Sequence, residues 1–578
     1  MTNAEIARVL DEIANLLDIC AENVFKIRSY QRAAEVIASQ ATPVEAMVAE
    51  GTVNSLPGVG KGIADVVTEL VETGFSEYRE QLLAQAPEGL LEMLRIPGFG
   101  PRKAGLVYQQ LGISSVEELE AAAREGQLKS LPGFGAKTEQ RILAGLEQLR
   151  QGVERALLGQ VLPLAKALVD TICAHPGVIA CEMAGSSRRR KETIGDIDIL
   201  ATSENPAEVC AWFARDGGLA EVELAGETKV SGRTVSGVRM DLRVVPPECY
   251  GAALQYFTGS QAHNIRLRER AQKRGLTISE YGVCMGEAGA KGEVVAGETE
   301  ESVYAAVGLP WIPPELREDR GEIEAAEAGR LPKLIEESDL RSDLHLHTEA
   351  SDGHVTLEQM ARLGQEHGYT HIGIANHSQA LVIANGLDRD RLLRQIDEIR
   401  ELNDKLDGFT VLAGTEADIL GDGRLDVPEG VWSELDFAIG SVHSQFSMDI
   451  DRMTERVLAV IRSGKIDILG HPTGRIVLGR KGYELHLREV IEAAIEHDVA
   501  LEINANPYRL DLSDVNARLA IDMGAKLAIN ADAHYHEELG LMRYGVMTAR
   551  RAWVEAGSVV NCWQLAELRG WLAERRRK

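Results

Sequence analysis

Apolar residues at helical spacing open the chain. Ile6, Val9, Leu10, Ile13, Leu16 and Leu17 fall three or four apart, and the pattern continues to about residue 80, which predicts amphipathic helices. The period then changes. Ile194, Ile197 and Ile199 predict a strand, and residues 238–246 predict a second with Asp241 in its middle. After residue 340, short aliphatic runs alternate with helical stretches at 391–406 and 487–497. Seven such runs predict a barrel-like β/α fold of distorted TIM type.

Pro and Gly punctuate the helical part three times in one way. Leu56-Pro57-Gly58-Val59-Gly60-Lys61, Ile96-Pro97-Gly98-Phe99-Gly100-Pro101 and Leu131-Pro132-Gly133-Phe134-Gly135-Ala136 each join helical segments as a helix-hairpin-helix pattern. Gly58, Gly60, Gly98, Gly100, Gly133 and Gly135 let backbone N–H groups approach a phosphate at a following helix N-terminus. Such contacts hold DNA without reading its sequence. A single Gly-x-Gly turn is commonly a plain connector, but three after an aliphatic-Pro pair favour DNA. Further on, Pro310, Pro313 and Pro314 precede a Glu-rich run through Glu322, Glu324 and Glu327, which predicts a partly helical linker over 316–339.

At 578 residues the chain is expected to hold roughly three or four domains. Hydrophobic content of 44% and charged content of 26% match a soluble globular protein. No segment reads as a signal peptide or a bilayer span, and seven scattered cysteines without a Cys-x-x-Cys pair point to a reducing cytoplasm. A net charge of −27 argues against broad coating of DNA but leaves room for a local cationic groove. Of the 14 histidines, 12 follow residue 340, so the two halves differ in chemistry.

The polar residues of the first predicted strand carry the first constellation. On a strand, residues i and i+2 share a face, so Asp196 and Asp198 point the same way. Upstream lie Gly185, Ser186 and the cations Arg188, Arg189, Arg190 and Lys191. Alone, Asp-x-Asp is as readily two solvated acids on an edge strand. With Asp241 as a third carboxylate, the set suits hard divalent cations, and the cations and small residues suit a polyphosphate. Together they suggest metal-dependent nucleotidyl transfer.

The Gly-Ser-x-Arg-Arg…Gly-Asp-x-Asp stretch, Asp241 and Tyr256-Phe257-Thr258-Gly259-Ser260 stand in the order found in family X DNA polymerases, and residues 1 to about 315 resemble that family. The resemblance implies a helical lyase-like DNA-binding domain over 1–80 and a helix-hairpin-helix region over 81–154. It further implies an α+β nucleotidyltransferase palm over 155–248 and a small nucleotide-selecting subdomain over 249–315. Asp196, Asp198 and Asp241 would hold two Mg²⁺ or Mn²⁺ ions. Ser186, Arg189, Gly185 and Gly195 would meet the incoming triphosphate, Tyr256, Phe257 and Gly259 its sugar, and Asn264 and Arg268 the minor groove. Lys26 and Tyr30 match the family's 5′-phosphate pocket, but Val66 stands where the lyase lysine belongs, so no efficient lyase is expected. Arg190 replaces a glycine of polymerase beta.

In the histidine-rich half, nearly every predicted strand ends in a potential ligand: His345, His347 and then Asp352, His377, Glu416, His443, His471, and Asp532 with His534. Strand C-terminal ends of β/α barrels carry active sites, so these should converge. Nitrogen and oxygen donors without sulfur suit Zn²⁺, Mn²⁺ or Fe²⁺, enough for about three ions. Any one of these histidines could be a satisfied core residue; the repeat across successive strands argues otherwise. Residues 501–504 carry only weak candidates. His354, His367, His371, His486 and His497 are expected on the surface, and His536 is undecided.

The series His-x-His…Asp-Gly…Asn-His-Ser…Glu…His…His-Pro…Asp-x-His resembles the polymerase-and-histidinol-phosphatase (PHP) domain over 340–578. The resemblance implies metal-dependent phosphoester hydrolysis, most plausibly as a 3′→5′ exonuclease. Gapped or primer-template DNA and deoxynucleoside triphosphates are the expected partners, with no membrane, and a monomer is expected. A small-molecule phosphomonoesterase and a non-catalytic DNA-end scaffold are the alternatives. The basic end at 575–578 is expected to be a solvated tail.

Overall fold

A computed structural model of the chain describes residues 3–38, 44–49, 51–56, 59–87, 89–94, 96, 99–150, 155–286 and 293–576. Gly58 and Gly98 lie outside these residues. The chain forms two compact units, Met1–Glu154 and Arg155–Lys578.

The first unit is helical. Helix Asn3–Ile19 buries Ile6, Leu10, Ile13, Leu16 and Leu17, the stripe its periodicity predicts. Tyr30, on helix Val24–Ala38, is buried and stacks on Tyr78 at 5.9 Å, with Lys26 Nζ 5.1 Å from the Tyr78 ring. The residue after each Pro-Gly pair is held in the same way. Val59, Phe99 and Phe134 each donate their N–H to the carbonyl three residues back, at 3.0, 3.0 and 3.1 Å. Their side chains are buried, Phe99 edge-on to Phe134 at 6.3 Å. Gly60 and Gly100 cap helices Lys61–Thr73 and Pro101–Leu111, and Gly135 precedes Ala136–Arg150. Val66 sits in this core, among Val59, Ile63 and Val67.

The second unit begins with a mixed five-stranded sheet in the order Ala180–Met183, Asp196–Thr202, Arg239–Val245, Lys229–Arg233, Glu221–Ala225. The second and third of these are parallel, and their register sets Asp198 opposite Asp241. Helix Leu158–Cys173 covers the sheet, and the core between them takes in Leu510 and Tyr544 from far downstream. Next comes a small antiparallel sheet, Leu276–Ser279, Gly282–Met285 and Val294–Ala296, under helices Tyr250–Thr258, Gln261–Gln272 and Glu300–Ala306.

The segment 316–339, expected as a linker, is folded into this core. Leu316, Ile323, Ala326 and Leu334 pack with Leu267, Val283 and Tyr304. Ile335 N–H donates to Val554 O at 3.0 Å. Glu322 is fully buried because it pairs with His263 Nδ1 at 2.6 Å, a contact 59 residues away that a local Glu-rich run does not reveal.

Six parallel strands then run in sequence order: His371–Ile374, Thr410–Asp418, Phe437–Ser441, Ile468–Leu469, Ala500–Asn504 and Leu527–Asn530. The first of the seven expected strands is a shorter contact. Leu346 makes single bridges to Ile374 on one outer strand and to Ala533 beyond the other, so the sheet curls back on itself. Leu344, Leu412, Phe437, Ile439 and Ile468 form a core plugged by Leu568, Trp571 and Leu572 of helix Leu565–Arg575. Two surface expectations fail here. His371 is fully buried, with Nδ1 2.9 Å from Thr370 Oγ1, because the strand start is enclosed by the barrel. Arg575 is buried too, bound to Asp467 at 2.9 Å, because the last helix docks and pulls its basic end inward; residues 577–578 lie outside the described residues.

Candidate functional site

The carboxylates of the palm strands come together through the sheet. The parallel register aligns Asp198 with Asp241, and Asp196 shares the Asp198 face. Burial first, and then Asp196 and Asp241, push the Asp198 carboxyl up to about 7. A cluster of acids this crowded calls for cations. Lys229 supplies one, with Nζ 2.7 Å from Asp241 Oδ2, and divalent ions fit the rest of the donor set. Gly185, at φ +57°, presses against the triad: a Cβ there would lie 2.0 Å from Asp198 Oδ2.

The turn from Gly185 to Lys191 is held from three directions. Arg188 binds Glu300 through both nitrogens at 2.8 Å and Thr258 Oγ1 at 2.7 Å, and Arg317, fully buried, binds the same Glu300 at 2.6 Å. These cations hold the Glu300 carboxyl down to about 2 despite its burial. Arg189 donates to Thr258 O at 2.5 Å and to Glu318 at 3.1 Å. Arg551, from helix Met542–Arg551, donates to Arg189 O at 2.5 Å and to Glu318 at 3.1 Å, and it is 4% exposed. Arg190 has φ +56°, a backbone state that suits the glycine it replaces, and lines a cavity of about 330 Å³ with Arg155, Lys191 and Arg551.

The other expected nucleotide contacts are neighbours of this turn. A Cβ on Gly259 would lie 3.2 Å from Arg189 Nη1. Tyr256 and Phe257 meet edge-on at 5.1 Å, with Arg243 over Phe257 at 4.5 Å. Asn264 donates to Tyr256 O at 2.7 Å, and Arg268 donates to Asn264 O at 3.2 Å. Ser186 lies in the short helix Gly185–Arg188, and Gly195 directly precedes Asp196.

All nine residues expected in the histidine-rich centre converge. His347, Asp352, His377 and His534 form one group able to hold a metal ion; His345, His347 and Asp532 form a second; His377, Glu416 and His443 form a third. His471 Nε2 joins at 3.1 Å from Glu416 Oε1. Gly353 permits the packing, since a Cβ there would lie 2.7 Å from the His347 carbonyl. Asp532 has φ +55° and His471 φ +25°, strained backbone of the kind that clusters at functional sites. His536 is exposed and belongs to none of the groups.

The fit to metal ions is chemical. His345 Nε2, both ring nitrogens of His347, His377 Nδ1 and Glu416 Oε2 are buried without a hydrogen bond. Buried polar and charged atoms of this kind are costly unless they bind something. Burial and the neighbouring His534 and His377 push His347 down to about 3. Burial also opposes charge on His377 and His443, but Glu416 outweighs it and raises them to about 10 and 9. Divalent ions replace such protons when ligands bind.

Sequence patterns did not reveal the groups that hold the ligands. Glu502 accepts from His345 Nδ1 at 2.7 Å and from His471 N–H at 2.7 Å, and Asp418 lies 2.5 Å from His443 Nδ1. Each leaves the opposite ring nitrogen facing the cluster. Glu502 lies in the stretch 501–504, where the sequence offers only weak candidates.

A strand-borne carboxylate triad and a β/α half whose clustered donors could hold metal ions therefore share one chain, the arrangement of a metal-dependent enzyme with two separate sites. Comparison with known proteins agrees with this. Residues 253–318 match the DNA polymerase beta thumb, 1–75 a helix-hairpin-helix domain, 90–148 a SAM-like helix-hairpin-helix tandem and 343–506 the PHP domain. The chain is 36% identical to the DNA polymerase/3′-5′ exonuclease PolX of Bacillus subtilis (strain 168) over 574 residues, 99% of each chain. It is 26% identical to DNA polymerase lambda of Rattus norvegicus over 55% of this chain and 56% of that one. A probable phosphatase of Thermoanaerobacter sp. (strain X514) is 29% identical over 41% of this chain and 96% of its own. The chain belongs to the family X DNA polymerases that carry a PHP domain.

Proposed function

We propose that this enzyme fills short gaps in DNA at the palm and removes 3′-terminal nucleotides at the PHP centre. The observation that carries the reading is the pair of ligand sets: three crowded carboxylates in one half, nine converging donors in the other. Asp196, Asp198 and Asp241 would hold two Mg²⁺ or Mn²⁺ ions, which would supply charge neutralisation for displacement at the α-phosphate. Asp241 accepts the proton of the primer 3′-hydroxyl. Ser186 and Arg189, with Gly185 and Gly195, orient the triphosphate; Tyr256, Phe257 and Gly259 seat the sugar; Asn264 and Arg268 follow the minor groove. His345, His347, Asp352, His377, Glu416, His443, His471, Asp532 and His534 would hold up to three Zn²⁺, Mn²⁺ or Fe²⁺ ions, which would supply an activated water for phosphodiester hydrolysis. Glu502 and Asp418 keep the His345 and His443 rings in their working orientation.

The helix-hairpin-helix turns grip the DNA backbone through Gly60, Gly100, Gly133 and Gly135, with Gly58 and Gly98 of the same repeats. Lys26 and Tyr30 belong to the 5′-phosphate pocket, and a buried Val66 leaves that pocket without an imine-forming lysine.

The test is a 5′-labelled primer on a one-nucleotide gap, with Mn²⁺ or Mg²⁺, with and without nucleotides. Extension is expected with nucleotides and shortening without them. Asp198→Ala should abolish extension alone, and His345→Ala shortening alone. A primer left unchanged by the parent enzyme would overturn the reading in favour of a phosphomonoesterase or a scaffold.

A further inference from the structure

The histidine-rich centre opens toward three loops, each following a strand that carries a ligand or its support. Phe446 follows His443, residues 473–483 follow His471, and residues 506–510 follow Asn504. The loops are tied together. Gly474 N–H donates to His471 O at 2.9 Å, Ile476 N–H to Arg480 O at 2.8 Å and Val477 N–H to Tyr508 O at 2.7 Å. Gly474 has φ +58°, and a Cβ there would lie 2.7 Å from the Tyr483 ring, so the loop is seated tightly against its neighbours.

Two arginines stand on this rim. Arg480 lies flat over the Phe446 ring at 4.0 Å and donates to Gly474 O at 3.0 Å. Arg509 reaches the edge of the centre, with Nε 3.9 Å from Asp532 Oδ2. Asp532 belongs to the ligand set, so its charge is shared with any bound ions. Among the described contacts, Arg480 has no carboxylate partner. Burial and the like charge of Arg509 both press its pKa down. Beside them Tyr508 and Leu478 are 56% and 61% exposed, an aromatic and a large aliphatic side chain open to solvent next to the cationic pair.

We infer that Arg480 and Arg509, with Tyr508 and Leu478, form the strand-binding rim of the PHP centre, taking phosphates of a single-stranded 3′ segment on the arginines and a base on Tyr508. Cations that track a backbone beside an aromatic platform are the means by which single strands are held without sequence preference. The net charge of −27 makes a local cationic rim necessary, because the molecule as a whole repels a polyanion. The inference rests on the exonuclease reading of the same centre.

The test compares the parent with Arg480→Gln, Arg509→Gln and the double variant on two substrates with Mn²⁺: a 5′-labelled single-stranded oligonucleotide and bis(p-nitrophenyl) phosphate. The double variant should raise KM for the oligonucleotide about tenfold or more and reduce the salt slope of binding by about 1.4. For Arg480→Gln, which touches none of the nine donor residues, kcat/KM on the small diester should stay within about twofold. Tyr508→Ala, an exposed change that disturbs no core, should raise the oligonucleotide KM about fivefold or more. Unchanged oligonucleotide KM in folded variants would overturn the rim, and so would an equal loss on both substrates. A parent that cleaves only the small diester would overturn the exonuclease reading as well, a result distinct from failure of the rim alone.

Discussion

Arg551→Ala asks whether the barrel half sustains the polymerase site. The substitution removes the donation to Arg189 O at 2.5 Å, one contact to Glu318 at 3.1 Å and two to Asp514 at 3.1 and 2.8 Å. Neither acid is orphaned. Glu318 keeps Arg189 at 3.1 Å, and Asp514 keeps Arg320 at 3.0 Å. The cost of about 3–5 kcal/mol for stranding a buried charge is therefore not reached, and the loss falls near that of one charged hydrogen bond, about 2 kcal/mol. If most of it is felt when the Arg189 turn must be held for a triphosphate, KM for the nucleotide rises about tenfold, equivalent to about 1.4 kcal/mol. Primer extension at varied nucleotide concentration measures this, with exonuclease activity as the control, because none of the nine barrel ligands touches Arg551. Folded enzyme with unchanged nucleotide KM and kcat would refute the reasoning. Equal loss of both activities would make Arg551 a general prop instead.

Gly185→Ala places a methyl 2.0 Å from Asp198 Oδ2 at a φ of +57°, so extension should fall at least a hundredfold, about 2.7 kcal/mol, while primer shortening persists. Glu502→Gln keeps the shape but removes the charge behind His345; chelator competition should show metal affinity down about tenfold or more. Asp198→Asn should alter stability with pH. A carboxyl raised to about 7 in the folded protein destabilises it increasingly as pH climbs from 3.8 toward 7. In EDTA the Asn variant should therefore gain melting temperature over the parent as pH rises through that window, and Mg²⁺ should erase the gain.

The convergence of the candidate ligands was legible because their chemistry is local. Alternation puts Asp196 and Asp198 on one face whatever the rest of the chain does, and a histidine at the end of a barrel strand points into the site by topology alone. What stayed hidden depends on long contacts. Glu502 becomes a support for His345 only when strands 157 residues apart are placed side by side. Arg551 meets Arg189 across 362 residues. The same physics misled the reading of 316–339 and of Arg575: charged residues suggest solvent unless their buried partners are known, and Glu322 and Arg575 both have one.

Leu510 and Tyr544 deserve a last consequence, because they complete the hydrophobic core of the palm from inside the barrel sequence. A gene cut after residue 340 would leave the palm with an open apolar hole where these two side chains belong. Loss of polymerase activity in such a truncation would report a damaged scaffold and say nothing about the exonuclease. Point substitutions at the metal ligands are the sound way to silence one head.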